Sequence, residues 1–257
     1  MSNLTEVARY LDDLLRTPEI PDYPNALNGV QLANRGPIHR VAAAVDFSSV
    51  TTKRAIEADA QLLLVHHGMF WGGAQSITGP AYERLAALIA ADVAVYSSHL
   101  PLDLHPEVGN NALLARRLGL VPSDGFARYK TIDVGVSGNA DIETNELVSA
   151  ARTFAEEHGG SVVATSSAPG RRTRRWAICT GAGASSETLG EAVARGIDTL
   201  IVGEGPHHTA VQAADAGLVI IYAGHYATET LGVRALGESV ARAFGFETLF
   251  IEAPTGL

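Results

Sequence analysis

The chain has 257 residues, of which 46% are hydrophobic and 18% are charged, so it can bury a substantial core and is not disordered. Its net charge of -9 argues against general binding to nucleic acid or to a membrane surface, although bound cations can still attract an anionic substrate to a local site. One cysteine excludes an intrachain disulfide and a cysteine-based zinc site, and because no apolar stretch can span a bilayer or serve as a signal peptide, we expect a cytoplasmic protein.

The first half of the chain alternates predicted helices and strands. In order, these are a helix at 4–15, strands at 28–31 and 41–45, a helix at 50–58, a strand at 62–65, a helix at 81–91, a strand at 93–96 and a helix at 110–118. The segment 41–65 therefore forms a βαβ unit, in which the strands run parallel and the crossover is right-handed. This alternation predicts an α/β fold.

The second half continues the same alternation. We predict a strand at 132–136, a helix at 146–158, a strand at 161–164, a polar loop at 166–175 that ends in an arginine cluster, a strand at 176–180, a helix at 187–195, strands at 199–202 and 219–222, a helix at 229–244 and a strand at 248–251. Cys179 lies in the apolar run before residue 180, where we expect a buried, inert thiol.

The two halves share a repeated pattern. Segments 40–99 and 175–225 each alternate strand, helix, strand, helix and strand, and both end in Val-x-x-Tyr-x-x-His, at 93–99 and at 219–225. Ordinary α/β segments can resemble each other by chance, but the identical spacing favours an internal duplication. We therefore predict the same strand order in both halves.

Two adjacent histidines, His66 and His67, directly follow the apolar strand 62–65. Ligands bind beyond the carboxyl ends of the strands in open α/β sheets, and imidazole is the commonest metal ligand. Neighbouring side chains of an extended segment point to opposite sides, so the pair can reach two ions better than it can chelate one. The alternative is a turn or helix-cap histidine beside a core histidine.

Other strand ends also carry polar side chains. His225 and Glu229 are four residues apart at a strand-to-helix junction, where they can grip one metal, although a solvated ion pair has the same spacing. Asp103 follows His99 in a stretch that we read as extended, and its carboxylate can bridge two cations. Glu204 can be a ligand, a general base or a helix N-terminal acid, and it is our candidate catalytic residue.

The remaining histidines near these strand ends have weaker cases. His207 and His208 can bind substrate or cap their helix, and His105 is more typical of a surface loop. Nitrogen and oxygen ligands without thiolate suit Zn, Mn, Fe, Co or Ni, and the pattern does not choose among them.

The ordered motifs resemble the Nif-three-like dinuclear-metal family, whose members are often labelled GTP cyclohydrolase I type 2 homologues. They are Leu-Val-His-His-Gly at 64–68, His-Leu-Pro-Leu-Asp-x-His-Pro at 99–106, Gly-Asn-Asn at 109–111, Gly-Glu at 203–204 and Gly-His-Tyr-Ala-Thr-Glu at 224–229. The similarity covers nearly the whole chain. The segment 123–175 is too short for the extra domain of long members, so the chain resembles the compact bacterial form.

This resemblance implies two pseudo-repeated α/β lobes with a two-metal site in the cleft between them. We place the lobes at 1–121 and 122–257, with the C-terminal helix and strand able to pack back on the first. The implied metal ligands are His66, His67, Asp103, His225 and Glu229. The resemblance also implies a homohexamer, built as a trimer of dimers, with two divalent cations in each chain.

We weigh two hypotheses for function. The first is a metal-dependent hydrolase, with Asp103 bridging the two cations, that acts on a nucleotide, another phosphoester or the guanine ring of GTP. The second is a non-catalytic metal-binding or partner-binding assembly. It is favoured by the lack of a phosphate-binding glycine loop, for which the glycines at 181–183 are a weak match. The arginines at 171–175 can clamp phosphate, although a solvated loop is their more ordinary role.

Overall fold

The computed structural model describes residues 2–257 and divides them into two compact units. Unit 1 extends to Leu102 and resumes at Gly232–Ala253, whereas unit 2 comprises Asp103–Leu231 and Pro254–Leu257. Each unit contains one β-sheet with its own helices. The predicted α/β class is therefore confirmed.

The described residues contain nine α-helices, eleven strands and a 3₁₀ turn at Thr17–Glu19. The helices are α1 (Leu4–Leu15), α2 (Ser49–Glu57), α3 (Pro80–Ala90), α4 (Leu100–Asp103), α5 (Asn110–Arg117), α6 (Thr144–Glu157), α7 (Ser186–Ala194), α8 (His207–Asp215) and α9 (His225–Phe244). The strands are β1 (Gly29–Leu32), β2 (Arg40–Asp46), β3 (Leu62–His67), β4 (Ala94–Ser97), β5 (Asp124–Tyr129), β6 (Ile132–Glu143), β7 (Val163–Ala164), β8 (Arg172–Cys179), β9 (Thr199–Val202), β10 (Val219–Tyr222) and β11 (Glu247–Phe250). Within residues 2–257, no helix combines the length and apolarity that a bilayer crossing requires.

The sheet of unit 1 has the strand order β1-β4-β3-β2-β11. Strands β4, β3, β2 and β11 run parallel, and β1 joins the edge in the antiparallel direction. All six residues of β3 are buried, which is why this central strand is a continuous apolar run until its two histidines. The carboxyl end of β3 is therefore the place where polar side chains enter the core of unit 1.

The sheet of unit 2 has the order β5-β6-β8-β9-β10-β7. Its parallel centre, β8-β9-β10, is flanked by the antiparallel strands β6 and β7. One side of this sheet packs on a cluster around Phe154 and Trp176, whose side chains are fully buried. Burial of such large aromatic side chains contributes about 3–5 kcal/mol each to stability, judged from truncation to alanine.

The predicted duplication is confirmed in strand order, because β2-β3-β4 and β8-β9-β10 follow the same parallel sequence. In each unit the tyrosine of the repeat pairs with the neighbouring strand, at Leu64 in unit 1 and at Val202 in unit 2. Two positions beyond these partners lie His66 and Glu204. The repeat therefore places an imidazole in one unit where the other has a carboxylate.

The first helix of each repeat also begins in the same way. Ser48 caps α2 and Ser185 caps α7, and each accepts a hydrogen bond from the backbone of a threonine three residues later. The threonine hydroxyls, of Thr51 and Thr188, accept in turn from the cap backbone. This reciprocal pair ends the preceding loop at a fixed residue, so both repeats leave their first strand through a defined turn.

Two local predictions were wrong. Three of the four arginines that we assigned to a loop lie on β8, and only Arg171 precedes the strand. The Arg172 guanidinium donates to Asp141, and the backbone amides of Arg174 and Arg175 donate to Asp198. Strand β5 was also missed, because its sequence lacks the alternation that marks a half-buried strand. The charged residues of these strands lie at exposed positions, which are Asp124 and Arg128 on β5 and Arg172, Arg174 and Arg175 on β8.

The reactivity of the Cys179 thiol measures how completely solvent and reagents are excluded from the core of unit 2. Burial, reinforced by neighbouring carboxylates, raises the pKa of this thiol to about 12. Since only the thiolate attacks a disulfide reagent, native protein at pH 8 should react with Ellman's reagent only very slowly. The same protein in guanidinium chloride, as the control, should release one equivalent at once. Rapid release by native protein would contradict the buried position.

Candidate metal centre

The two histidines at the end of β3 are held by oxygen atoms at their Nδ1 positions. Nδ1 of His66 lies 2.9 Å from the carbonyl oxygen of Ser98, and Nδ1 of His67 lies 2.9 Å from Oδ1 of Asp46. A carbonyl or a carboxylate only accepts, so Nδ1 of each ring carries the proton and donates it. The basic lone pair is then on Nε2, which is the usual state of a metal-ligating histidine.

A third imidazole joins this pair. His99 is 7% exposed, and a ring nitrogen from each of His66, His67 and His99 lies within 4.8 Å of the others. Nδ1 of His99 donates to Oδ1 of Asp22 at 2.9 Å. Unit 1 thus gathers three buried imidazoles that share one tautomer.

The Asp22 carboxylate is itself firmly held. Its Oδ2 accepts from Nδ2 of Asn28 at 2.8 Å and from the backbone amide of Leu100 at 2.9 Å. Burial raises the pKa of Asp22, but the hydrogen bonds and the charge of His99 outweigh burial and lower it. Asp22 therefore stays ionised and fixes the ring of His99.

Unit 2 presents a second cluster, at the start of α9. Nδ1 of His225 lies 2.7 Å from Oε1 of Glu204, and its Nε2 lies 3.2 Å from Oε2 of Glu229. Burial lowers the pKa of His225, but the hydrogen bonds and charges of the two carboxylates raise it to about 9. In the protein without metal, a protonated imidazole therefore occupies this cluster, and a bound cation would replace that proton.

Asp103 is the last residue of α4 and not part of an extended stretch, so our prediction about its local backbone was wrong. At the start of α4, the backbone amide of Leu100 donates to the carboxylate of Asp22, and this contact stabilises the helical turn. Oδ1 of Asp103 accepts from Nδ2 of Asn110 at 2.8 Å, and the carboxylate is 5% exposed. This contact orients a buried carboxylate within unit 2.

Gly181 leaves the space that the Glu229 carboxylate occupies. It has a φ of 62°, and a Cβ at this position would lie 2.1 Å from Oε1 of Glu229 and 3.3 Å from Nε2 of His225. Both the backbone conformation and the close approach require glycine. The loop after β8 is thus shaped to admit the side chains at the start of α9.

The donor set fits a divalent metal. Buried imidazoles with an oxygen at Nδ1, together with buried carboxylates, are the ligands and outer partners of borderline metals such as Zn, Mn, Fe, Co and Ni. His207 and His208 are exposed at the start of α8. Nδ1 of His105 accepts from the amides at 107 and 108, so this ring stabilises its own turn.

The sequence analysis missed the outer partners of the histidines. Asp46 follows a predicted strand, and its position at a strand end was a usable signal. Asp22 lies among prolines, and no spacing rule connects it to His99, 77 residues away. Such partners are set by the fold of a loop and not by local periodicity.

Sequence comparisons with known proteins give matches over nearly the whole chain. The model of the Duf34/NIF3 (NGG1p interacting factor 3) family matches residues 2–256. Two relatives named "GTP cyclohydrolase 1 type 2 homolog" are similar: one from Deinococcus radiodurans is 40% identical, covering 98% of this chain and 94% of that protein, and one from Pyrococcus abyssi is 38% identical, covering 98% of each.

Solved structures show the same fold. Protein ybgI, described as of unknown function, has a TM-score of 0.89 and 31% identity over 100% of both chains. TTHA1606 from Thermus thermophilus has a TM-score of 0.84 and 31% identity over 99% of this chain and 100% of that one. HcgD from Methanocaldococcus jannaschii, solved in its reduced form, has a TM-score of 0.82 at 21% identity over 98% of each chain, which shows a common fold.

Gly181→Ala tests the shape of the cluster in unit 2. The new methyl group should push the Glu229 carboxylate aside and weaken metal binding about tenfold, as changes around ligands commonly do. Gly190→Ala is the matched control, because a Cβ in α7 meets nothing within 4 Å and should stabilise the helix by about 0.5–1 kcal/mol. Metal titration and urea denaturation measure both effects. Equal metal affinity in the two variants would contradict this account of Gly181.

Proposed function

Because this chain belongs to the Duf34/NIF3 family, we propose that it is a dinuclear metal-binding protein and a metal-dependent hydrolase of nucleotides or other phosphoesters. The supporting observation is the common orientation of the three proposed ligand histidines, His66, His67 and His225, each of which directs Nδ1 at an oxygen of the protein. An oxygen at Nδ1 fixes the orientation of a histidine ring, and this is the usual outer partner of a metal-ligating histidine.

We assign the ligands as two partial sets. Unit 1 contributes His66 and His67, and unit 2 contributes Asp103, His225 and Glu229. The buried carboxylate of Asp103 would serve as the bridging ligand between two cations. Neither partial set fills the coordination of two metals, so the proposal requires both.

Bound cations would supply Lewis-acid chemistry, by polarising a phosphoryl or ring-carbon centre and lowering the pKa of a nucleophilic water. The residues of the chain hold and orient the ligands. Asp46 fixes His67, and Glu204 fixes His225. Glu204 was our candidate catalytic residue, and its 2.7 Å contact to Nδ1 of His225 supports a positioning role.

Metal content is the first test. Protein loaded with Zn, Mn or Fe and then dialysed should hold two ions per chain by inductively coupled plasma mass spectrometry. His67→Ala should remove at least one ion, and Asp46→Asn should weaken binding about 10- to 100-fold because it loosens the ring of His67. His39→Ala, at an exposed position, is the control. A folded wild-type protein that never binds metal would end the proposal.

Turnover is the second test. A panel of phosphoesters, nucleotides and GTP should contain a substrate whose hydrolysis requires added metal. Glu229→Gln keeps the shape of the side chain but removes its charge, and it should lower kcat by at least about tenfold with metal loss in the same samples. Glu238→Gln, on the exposed side of the same helix, should have no effect. Full metal occupancy without turnover of any panel member would favour a non-catalytic binding assembly.

We also propose that the chain assembles as a homohexamer. The resemblance noted from sequence motivates this assembly, and closed symmetric oligomers are the rule for homo-oligomeric proteins. Multi-angle light scattering should give a mass six times that of the chain. A monomer at micromolar concentration would refute the hexamer and leave the metal proposal intact.

A further inference from the structure

Two aromatic side chains lie beside the histidines of unit 1 and have no part in holding metal. The Trp71 ring centroid is 4.7 Å from that of His67 and 4.5 Å from that of His99. The Tyr23 ring is 6.0 Å from His99 and is 46% exposed. Large aromatic side chains that stay accessible beside a polar cluster are typical of ligand-binding surfaces.

Trp71 lies just beyond β3, the strand that ends in His66 and His67. It follows His67 by four residues, and its amide donates to the carbonyl of Gly68 at 3.3 Å. Its own carbonyl accepts from Nδ2 of Asn25 at 2.6 Å. The indole is therefore anchored by its backbone on both sides, although its ring is only partly buried.

His99 has one ring nitrogen that the fold leaves available. Its Nδ1 is engaged by Asp22, and its backbone amide donates to Oδ1 of Asn28. Within residues 2–257, no protein group donates a hydrogen bond to Nε2 of His99. The residue is more than nine-tenths buried, so this lone pair lies in a setting where a hydrogen bond from a ligand is stronger than it would be in water.

We propose that Trp71 and His99 form a subsite for a planar heteroaromatic ring, of the nucleobase class, on the substrate. The indole stacks on the ring, and Nε2 of His99 accepts a hydrogen bond from a ring N–H or an exocyclic amino group. The Tyr23 ring also lies near His99, with 6.0 Å between the ring centroids. This inference rests on the proposed function for its place beside metal ligands, and it selects nucleotides over phosphoesters that lack such a ring.

Tryptophan fluorescence tests this subsite without any need for turnover. The chain has two tryptophans, and Trp176 is fully buried in unit 2, so quenching by a stacked ring reports on Trp71. Guanosine and adenosine, which carry no phosphate, should quench the emission saturably. Ribose, which has the same sugar and no base, should not quench it.

Variants at two positions, Trp71 and His99, test the two contacts to the bound ring. Trp71→Phe should remove the quenching signal while isothermal titration still detects nucleoside binding, because phenylalanine also stacks. Trp71→Ala should weaken binding about tenfold, the usual scale for loss of one stacking partner. His99→Ala should weaken it by a similar factor, and His99→Gln, which restores an acceptor, should recover part of the loss. No saturable quenching in wild type, or wild-type affinity in either alanine variant, would overturn the subsite.

Metal content, measured on the same samples, separates this inference from the proposed function. His99→Ala should keep the metal that His67→Ala loses. Equal metal loss in the two variants would assign His99 to metal coordination and refute its role toward the ring. If metal-loaded and dialysed wild-type protein holds no metal but binds nucleosides, the subsite is supported and the dinuclear centre is contradicted. If it holds two ions but binds no nucleoside, the dinuclear centre is supported and the subsite is contradicted.

Discussion

The candidate site depends on one recurring interaction, a hydrogen bond from Nδ1–H of an imidazole to an oxygen that can only accept. A free histidine exchanges between two tautomers and rotates about two side-chain bonds. A carboxylate or carbonyl at Nδ1 removes the tautomer exchange and most of the rotation, so Nε2 is presented as a fixed base. Because this restraint is made during folding, a cation or substrate that binds later meets a preorganised group and loses less entropy.

The internal duplication explains why such restraints occur in both units and why their chemistry differs. In both units the first strand of the repeat leads into a capped helix, and three parallel strands follow the same order. At the position two residues beyond the tyrosine partner, however, unit 1 has His66 and unit 2 has Glu204. Imidazole favours borderline metals, whereas a carboxylate is a harder ligand that can also hold a neighbouring histidine. A repeated scaffold has therefore diverged in the donors that it presents.

Much of the fold was predictable from the sequence, because buried parallel strands are apolar runs and capped helices follow them closely. The run 62–65, the Val-x-x-Tyr-x-x-His repeat and the i,i+4 pair of His225 and Glu229 each carry a local signal, and each lies where the prediction put it. Asp22 carries no such signal, since a proline-rich loop must fold before its carboxylate reaches His99. The prediction that residues 100–103 are extended was wrong for a related reason. The helical turn there begins at Leu100, whose amide donates to that distant carboxylate.

The sealed thiol of Cys179 makes this chain behave, toward reagents in solution, as though it contained no cysteine. A cysteine introduced at an exposed position, such as Val121, would then be the sole attachment point for a maleimide spin label or fluorophore. The native residue would not have to be replaced first, and the tightly packed loop between Cys179 and Gly183 would stay as it is. Each unit can thus carry a reporter of its own local order without disturbing the side chains that hold the histidines.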